Sequence, residues 1–549
     1  MSAPQPTGLD ADLARLRELA AGLAAAWAPT TRRRVTVGQE RAILRLLGVG
    51  GVDAAGRPLV VEVVDRYLST GHRRLATGIL LPFVAGLLEY DTTPQALALD
   101  VASGAVDLGL ESEVLRDPAR RLLAESEARR LVAAGVDRID ANRVARRELQ
   151  AVLGEPGRPL VGLSLREEVA ADALAEARAA VRDGVDLLRV EVPSGRELTA
   201  RLKAAGVTVR PWGPSAEQIA DAGDGADVAP SGSQRGLAAL RSAIDRAAAE
   251  RPGYVRLAIA AQALSAPEAA VVAGMERVDL VESDPIDEIV AVGVDPDRAL
   301  ADHAFARRIL RRAGAGIVIG AGPLVVAPDL ARGVPSDPAV RAGRALALQL
   351  LSAALAAAEG LPPDQVVIGA IPAWLLGEGE PFARAAAEIC LRRTLLPDHP
   401  LVFAEPPDTP ASGLVRGVQS PRGSWPFLVG ALLPAPPAGA IVLRRTGEDG
   451  VRRIATETRR AAAVAAELAY SLDQGHLRGV SLNHARASVG AAIATLEGLS
   501  SGGWGTVVGE RPDGVAGGAG WLGRGPDSVT DRADPFNPLA EALTAHPAG

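Results

Sequence analysis

Between residues 158 and 405 the chain alternates short apolar runs with Ala-rich helical stretches, and this alternation restricts the fold more than any other feature. The runs are Pro159–Ser164, Val185–Val192, Val207–Arg210, Tyr254–Ile259, Val278–Glu282, Gly316–Gly320, Gln365–Gly369 and Pro400–Glu405. Val, Ile and Leu fall on both parities within them, which suits strands covered on two faces, as in a parallel sheet flanked by helices. Helical candidates such as Ala170–Arg182, Gln234–Glu250 and Val340–Glu359 lie between most of the runs. Units of this kind over roughly 250 residues match an α/β fold of the (β/α)8 TIM-barrel type. A doubly wound open sheet is the alternative, and Val207–Arg210 is the weakest strand.

The flanks read differently. Residues 1–150 form an N-terminal helical region: Leu13, Leu16, Leu19 and Leu23 keep helical spacing, and Asp91-Thr92-Thr93-Pro94 is a helix-start signal. The barrel domain is expected over 151–430, with Pro406–Gly439 as a Pro/Gly-rich linker. Accessory helices and a Gly-rich tail follow over 431–549. In that tail, Ser500–Gly525 reads either as a flexible surface segment or as a backbone-lined loop closing on a large ligand.

Composition removes several classes of function. With 59 basic against 66 acidic residues and a net charge of −7, the chain is no general nucleic-acid binder. One cysteine, Cys390, excludes an internal disulfide and any thiolate-rich metal site, and its helical setting reads as a buried structural thiol. The six histidines show no metal-ligand spacing, and neither a Walker loop nor a Gly-x-Ser-x-Gly elbow occurs. No signal peptide is evident, and the apolar stretch Leu346–Ala358 is short of the ~20 residues that span a bilayer. A cytoplasmic protein is expected.

In a barrel, chemistry sits at the C-terminal strand ends. Polar residues there are Ser164, Arg166, Glu167 and Glu168, then Glu191, Ser194, Gly195 and Arg196, then Glu282, Ser283 and Asp284, and finally Glu405. Each carboxylate reads as an acid–base group or, equally, as a helix cap. Pro193-Ser194-Gly195-Arg196-Glu197 opens a helix, where free amides and a guanidinium suit a phosphate; Pro230–Gly236 is a second anion-friendly turn. The only lysine, Lys203, lies in a helical stretch.

The block TVGQERAILRLLGVGGVD at 36–53 resembles the opening signature of the α subunit of lysine 5,6-aminomutase. The likeness recurs in Gly184-Val185-Asp186, Ser233-Gln234, Tyr254-Val255-Arg256-Leu257, Pro267-Glu268, Glu276-Arg277-Val278-Asp279 and Arg298-x-x-x-Asp302-x-x-Phe305-x-Arg307. Gly360-Leu361-Pro362, Glu405-Pro406-Pro407 and the closing Pro535-Phe536-Asn537-Pro538 complete the series in order.

The resemblance implies a TIM-barrel subunit of an adenosylcobalamin- and pyridoxal-phosphate-dependent aminomutase, working by radical 1,2-amino migration. It implies a smaller β subunit carrying the cobalamin-binding Rossmann domain, with its Asp-x-His-x-x-Gly motif, and the lysine for pyridoxal phosphate. This chain has neither that motif nor a suitably placed lysine, so on its own it is expected to hold little pyridoxal phosphate covalently. The candidate cofactor-binding residues are Ser194, Gly195, Arg196, Ser233, Gln234 and Arg256. Ungapped alignment puts Val192, Glu197, Gln262, Asp287 and Val325 at five family contact positions, and Glu197 and Asp287 would repel a phosphate. Two functions follow: an aminomutase subunit, or a divergent cobalamin-associated barrel that has lost the pyridoxal site and acts on another substrate or as a non-catalytic partner.

Overall fold

The computed structural model describes residues 8–51, 58–69, 74–157, 159–165, 170–190, 234–261, 264–320, 337–370, 381–404, 439–445, 454–460, 463, 474–508, 521, 524, 526 and 528–544. The first strand, β1, is a short one outside the barrel (Arg34–Thr36). The barrel strands are β2 (Leu160–Leu165), β3 (Leu187–Val190), β4 (Arg256–Ala260), β5 (Leu280–Glu282), β6 (Gly316–Ile319), β7 (Val366–Gly369), β8 (Leu401–Ala404) and β9 (Ala440–Arg445). All eight are parallel and close in sequence order, with β9 returning to pair with β2. The fold is a (β/α)8 barrel.

Alternation along the strands explains the core. Leu160, Leu187, Ala258, Leu280, Val318, Val367, Val402, Ile441 and Leu443 share the inward parity and form one buried cluster inside the barrel. The other parity packs outward under the helices, as Val161, Leu188, Leu257, Val281 and Ile317 do. Helices Ala266–Met275, Pro296–Ala313, Pro338–Ala358 and Pro381–Leu395 surround the β4 to β8 side.

The strand count corrects one expectation. The eighth strand is Ala440–Arg445, beyond the 430 boundary expected for the barrel, while Val207–Arg210 lies outside the described residues and supplies none of the eight. The long Pro/Gly stretch before β9, and two arginines at its end, disguise it as part of the accessory region.

Helices precede the barrel. Thr93 caps helix Pro94–Ser103 by accepting from the Ala96 amide, as the Thr-Pro signal predicts. A single 36-residue helix, Pro118–Leu153, runs to the threshold of β2. Every residue of helix Val37–Leu46, the heart of the opening block, is buried. Arg45 pairs with Glu268 of helix Ala266–Met275 at 2.7 Å, and Thr36 bonds Asp302 of helix Pro296–Ala313. Asp302 also holds Arg298, whose Nη1 donates to Ser528 Oγ at 2.7 Å. The most specific stretch of sequence is therefore a clamp on two barrel helices. The closing motif docks similarly: β10 (Val529–Asp531) pairs antiparallel with β1, and Phe536 lies under the Arg129 guanidinium at 4.8 Å.

Among the described residues one helix, Pro338–Ala358, is long and apolar enough to cross a membrane, and most of it is buried between the barrel and other helices. Cys390 is exposed on helix Pro381–Leu395, which corrects the buried-thiol expectation: the face of that helix turned to the core carries Ala387, Glu388 and Leu391 instead.

Candidate functional site at the barrel mouth

Following the inward parity to the C-terminal strand ends, the apolar cluster gives way to Ser164 on β2, Arg189 on β3, Ala260 on β4 and Glu282 on β5. Arg189 donates through Nε and Nη2 to Glu282 Oε2, at 2.9 and 2.6 Å, and through Nη1 to Ser164 Oγ at 3.4 Å. The two charged side chains are about one-fifth exposed (20% and 22%). A guanidinium, a carboxylate and a hydroxyl thus converge where barrel enzymes do chemistry. This set can bind a molecule carrying both charges.

Behind the mouth lies a second, fully buried polar layer. Ser283, the outward neighbour of Glu282, meets His303 Nδ1 at 3.0 Å, and His303 Nε2 meets Glu288 Oε1 at 2.9 Å. Asp284 caps the helix that starts at Pro285 by accepting from the Ile286 amide. The same carboxylate takes the Ser352 hydroxyl at 2.8 Å and the Gly320 amide at 3.0 Å. Arg307 donates to Ser352 at 3.0 Å; burial lowers its pKa to about 10 against the opposing pull of Asp284 and Glu359. Asp284 is therefore a cap and also a pin on the end of β6.

Of the expected cofactor-binding residues, the structure describes Gln234 and Arg256. Ser194, Gly195, Arg196 and Ser233 lie outside the described residues, as do Lys203, Glu405, Val192, Glu197, Gln262 and Val325. Gln234 opens helix Gln234–Ala248 and donates to Glu276 Oε1 at 2.8 Å, an acceptor it shares with Arg138 on the outer ring of helices. Arg256 is the first residue of β4, at the barrel end opposite the mouth, where it pairs with Glu155 at 3.0 Å. Neither is brought to the mouth. Asp287 sits in the short helix leaving β5, close in sequence to Asp284.

Arg189 was not among the sequence candidates, although a signal existed. It is a charge inside an apolar strand, on the same parity as inward-facing Leu187.

The family model described as the D-lysine 5,6-aminomutase TIM-barrel domain of alpha subunit matches residues 8–417. The chain belongs to this family. Lysine 5,6-aminomutase alpha subunit of Fusobacterium nucleatum is 27% identical over 383 residues, covering 70% of this chain and 68% of that one. The same-named subunit of Acetoanaerobium sticklandii is 25% identical over 386 residues, with the same coverage. The aminomutase-family match begins with helix Gly8–Arg33, spans the opening clamp and β2 to β8, and stops before β9 and helix Gln474–Gly502.

Proposed function

We propose that this chain is the barrel subunit of an aminomutase, an isomerase that moves an amino group between adjacent carbons of a lysine-like amino acid. The reading is carried by a zwitterion-matched polar set, Ser164, Arg189 and Glu282, at the mouth of a barrel from this family. Arg189 meets the substrate carboxylate, Glu282 its ammonium group, and Ser164 orients the guanidinium. Charge-assisted contacts of this kind contribute about 1.5–3 kcal/mol each.

The donor set fits an amino acid in charge. We assign the phosphate of pyridoxal phosphate to Ser194, Gly195 and Arg196, with Ser233, which leaves the Arg189–Glu282 pair for the amino acid. The covalent anchor for that cofactor comes from a smaller partner subunit, which also carries adenosylcobalamin; the single lysine here is Lys203. When bound, adenosylcobalamin supplies a radical by cobalt–carbon homolysis and pyridoxal phosphate carries the migrating nitrogen. The barrel's part is to orient the amino acid, exclude water and hold opposite charges at fixed places.

The test is to co-express the chain with a neighbouring reading frame that carries Asp-x-His-x-x-Gly and a lysine for pyridoxal phosphate. Visible spectra are then recorded with both cofactors. Retention of both through gel filtration of a two-subunit complex supports the proposal. A chain that forms no complex, or a complex that binds neither cofactor, contradicts it.

A further inference from the structure

Helix Gln474–Gly502 lies beyond the part of the chain matched by the family model, yet it is wired to the mouth by a continuous buried chain of polar groups. Ser488 Oγ donates to Glu388 Oε1 at 2.8 Å, and His484 Nε2 meets the same oxygen at 3.1 Å. Glu388 Oε2 takes Arg392 Nη1 at 2.8 Å, and Arg392 Nε donates to Gln349 Oε1 at 2.9 Å. Gln349 Nε2 then donates to the Gly369 carbonyl at 2.7 Å and to the Gly320 carbonyl at 3.3 Å, the last residue of β7 and the first after β6. The Gly320 amide, on its other side, is the one pinned by Asp284.

This chain of bonds has a direction. A guanidinium only donates, so Arg392 forces the Gln349 amide to turn its oxygen outward and its nitrogen toward the two carbonyls. Arg392 in turn is held by Glu388, whose remaining oxygen is fixed from helix Gln474–Gly502. Ser488, Arg392, Glu388 and Gln349 are each at most 2% exposed, so no water substitutes for a lost partner. We propose that helix Gln474–Gly502 is a positioning element of the barrel mouth: through Glu388 and Arg392 it fixes Gln349, and with it the backbone where β6 and β7 end. The proposal rests on the aminomutase reading only in taking the mouth as the place of reaction.

Amide hydrogen exchange on the full chain decides it without substrate or cofactor, so a failed aminomutase reading leaves the result intact. In the double variant His484→Leu/Ser488→Ala, exchange over 316–320 and 366–370 is expected to speed up about tenfold or more, equivalent to ~1.4 kcal/mol of local opening. Exchange over 160–165 and 187–190 stays at the wild-type rate, and His484→Gln/Ser488→Thr restores the slow rate at β6 and β7. If the double variant does not fold, Ser488→Ala alone is read the same way. Unchanged exchange at β6 and β7, or equal acceleration in all four segments, overturns the proposal.

Discussion

Arg189 of β3 and Glu282 of β5 join hands over β4, with Nη2 to Oε2 at 2.6 Å, although their strands are not neighbours. The strand between them makes this possible. Its inward residues are Ala258 and Ala260, whose methyl groups leave room for two long side chains to meet above them. The pair is thus a product of barrel closure and of small residues on β4, and it puts opposite charges side by side at the mouth.

Removing either charge should cost catalysis far more than stability. Arg189→Ala or Glu282→Gln in the two-subunit complex is expected to lower kcat/KM by roughly ten- to a hundredfold, the equivalent of one charge-assisted contact. The melting temperature should fall by only a few degrees, since both groups open onto the mouth. Steady-state kinetics paired with thermal melts of the same samples check this.

Substituting Ala260 with leucine should separate the charges without removing them. A branched side chain placed between Arg189 and Glu282 would fill the gap over β4, with overpacking of about 1–3 kcal/mol. The expected readout is a rise in KM together with a modest loss in the midpoint of urea unfolding.

Gly343→Ala tests the docking of the C-terminal helix. A Cβ there would collide with the Ser488 carbonyl, which is backbone and cannot swing aside. Separating helices Pro338–Ala358 and Gln474–Gly502 should cost about 1–3 kcal/mol, read from chemical denaturation. Gly320→Ala is blocked twice, by a φ of +63° and by the Gln349 side chain.

Acid should loosen the same region. Burial alone would raise the pKa of Glu388, but the His484 hydrogen bond and the Arg392 charge outweigh it and hold the carboxyl below its ordinary value of 4.5. A carboxylate whose folded pKa is depressed contributes stability that is complete above the unfolded value and is lost as pH falls through the folded one. Wild type should therefore lose stability more steeply than Glu388→Gln below about pH 4.5, while Glu388→Gln is the less stable protein at pH 7. Denaturation midpoints across pH 3–7 measure both slopes.

The opening block predicts a purely structural phenotype. Arg45→Met takes from buried Glu268 the guanidinium that bonds it, leaving Arg41 nearby, and breaking one side of a buried ion pair costs about 3–5 kcal/mol. Circular dichroism melts should show a large drop, whereas Arg45→Met with Glu268→Met should recover most of it.

The barrel was legible in the sequence to the extent that its strands are apolar on both faces. Seven of the expected runs overlap barrel strands. The eighth was misplaced because Ala440–Arg445 follows a long Pro/Gly stretch and ends in two arginines, whereas Val207–Arg210 has the look of a strand. At the mouth, Ser164 and Glu282 were visible as polar residues closing apolar runs. Arg189 hid within one, where only parity separates an inward charge from a tolerated exception. Gln349, Arg392 and His484 were beyond reach of any local pattern, since three different helices bring them together and only tertiary packing sets their partners. Gln234 and Arg256 stood out through family likeness, and their side chains serve the outer helices and the opposite end of the barrel.

The most direct test of the aminomutase reading is turnover by the reconstituted two-subunit complex. Lysine, or in parallel ornithine, is incubated anaerobically in the dark with adenosylcobalamin and pyridoxal phosphate, and the products are resolved by NMR. The expected result is an isomer of unchanged mass whose amino group has moved by one carbon, formed only when both subunits and both cofactors are present, and strongly diminished in Glu282→Gln. A complex that holds both cofactors yet returns every substrate unchanged, or one that isomerises at the wild-type rate without Arg189 and Glu282, would contradict the account.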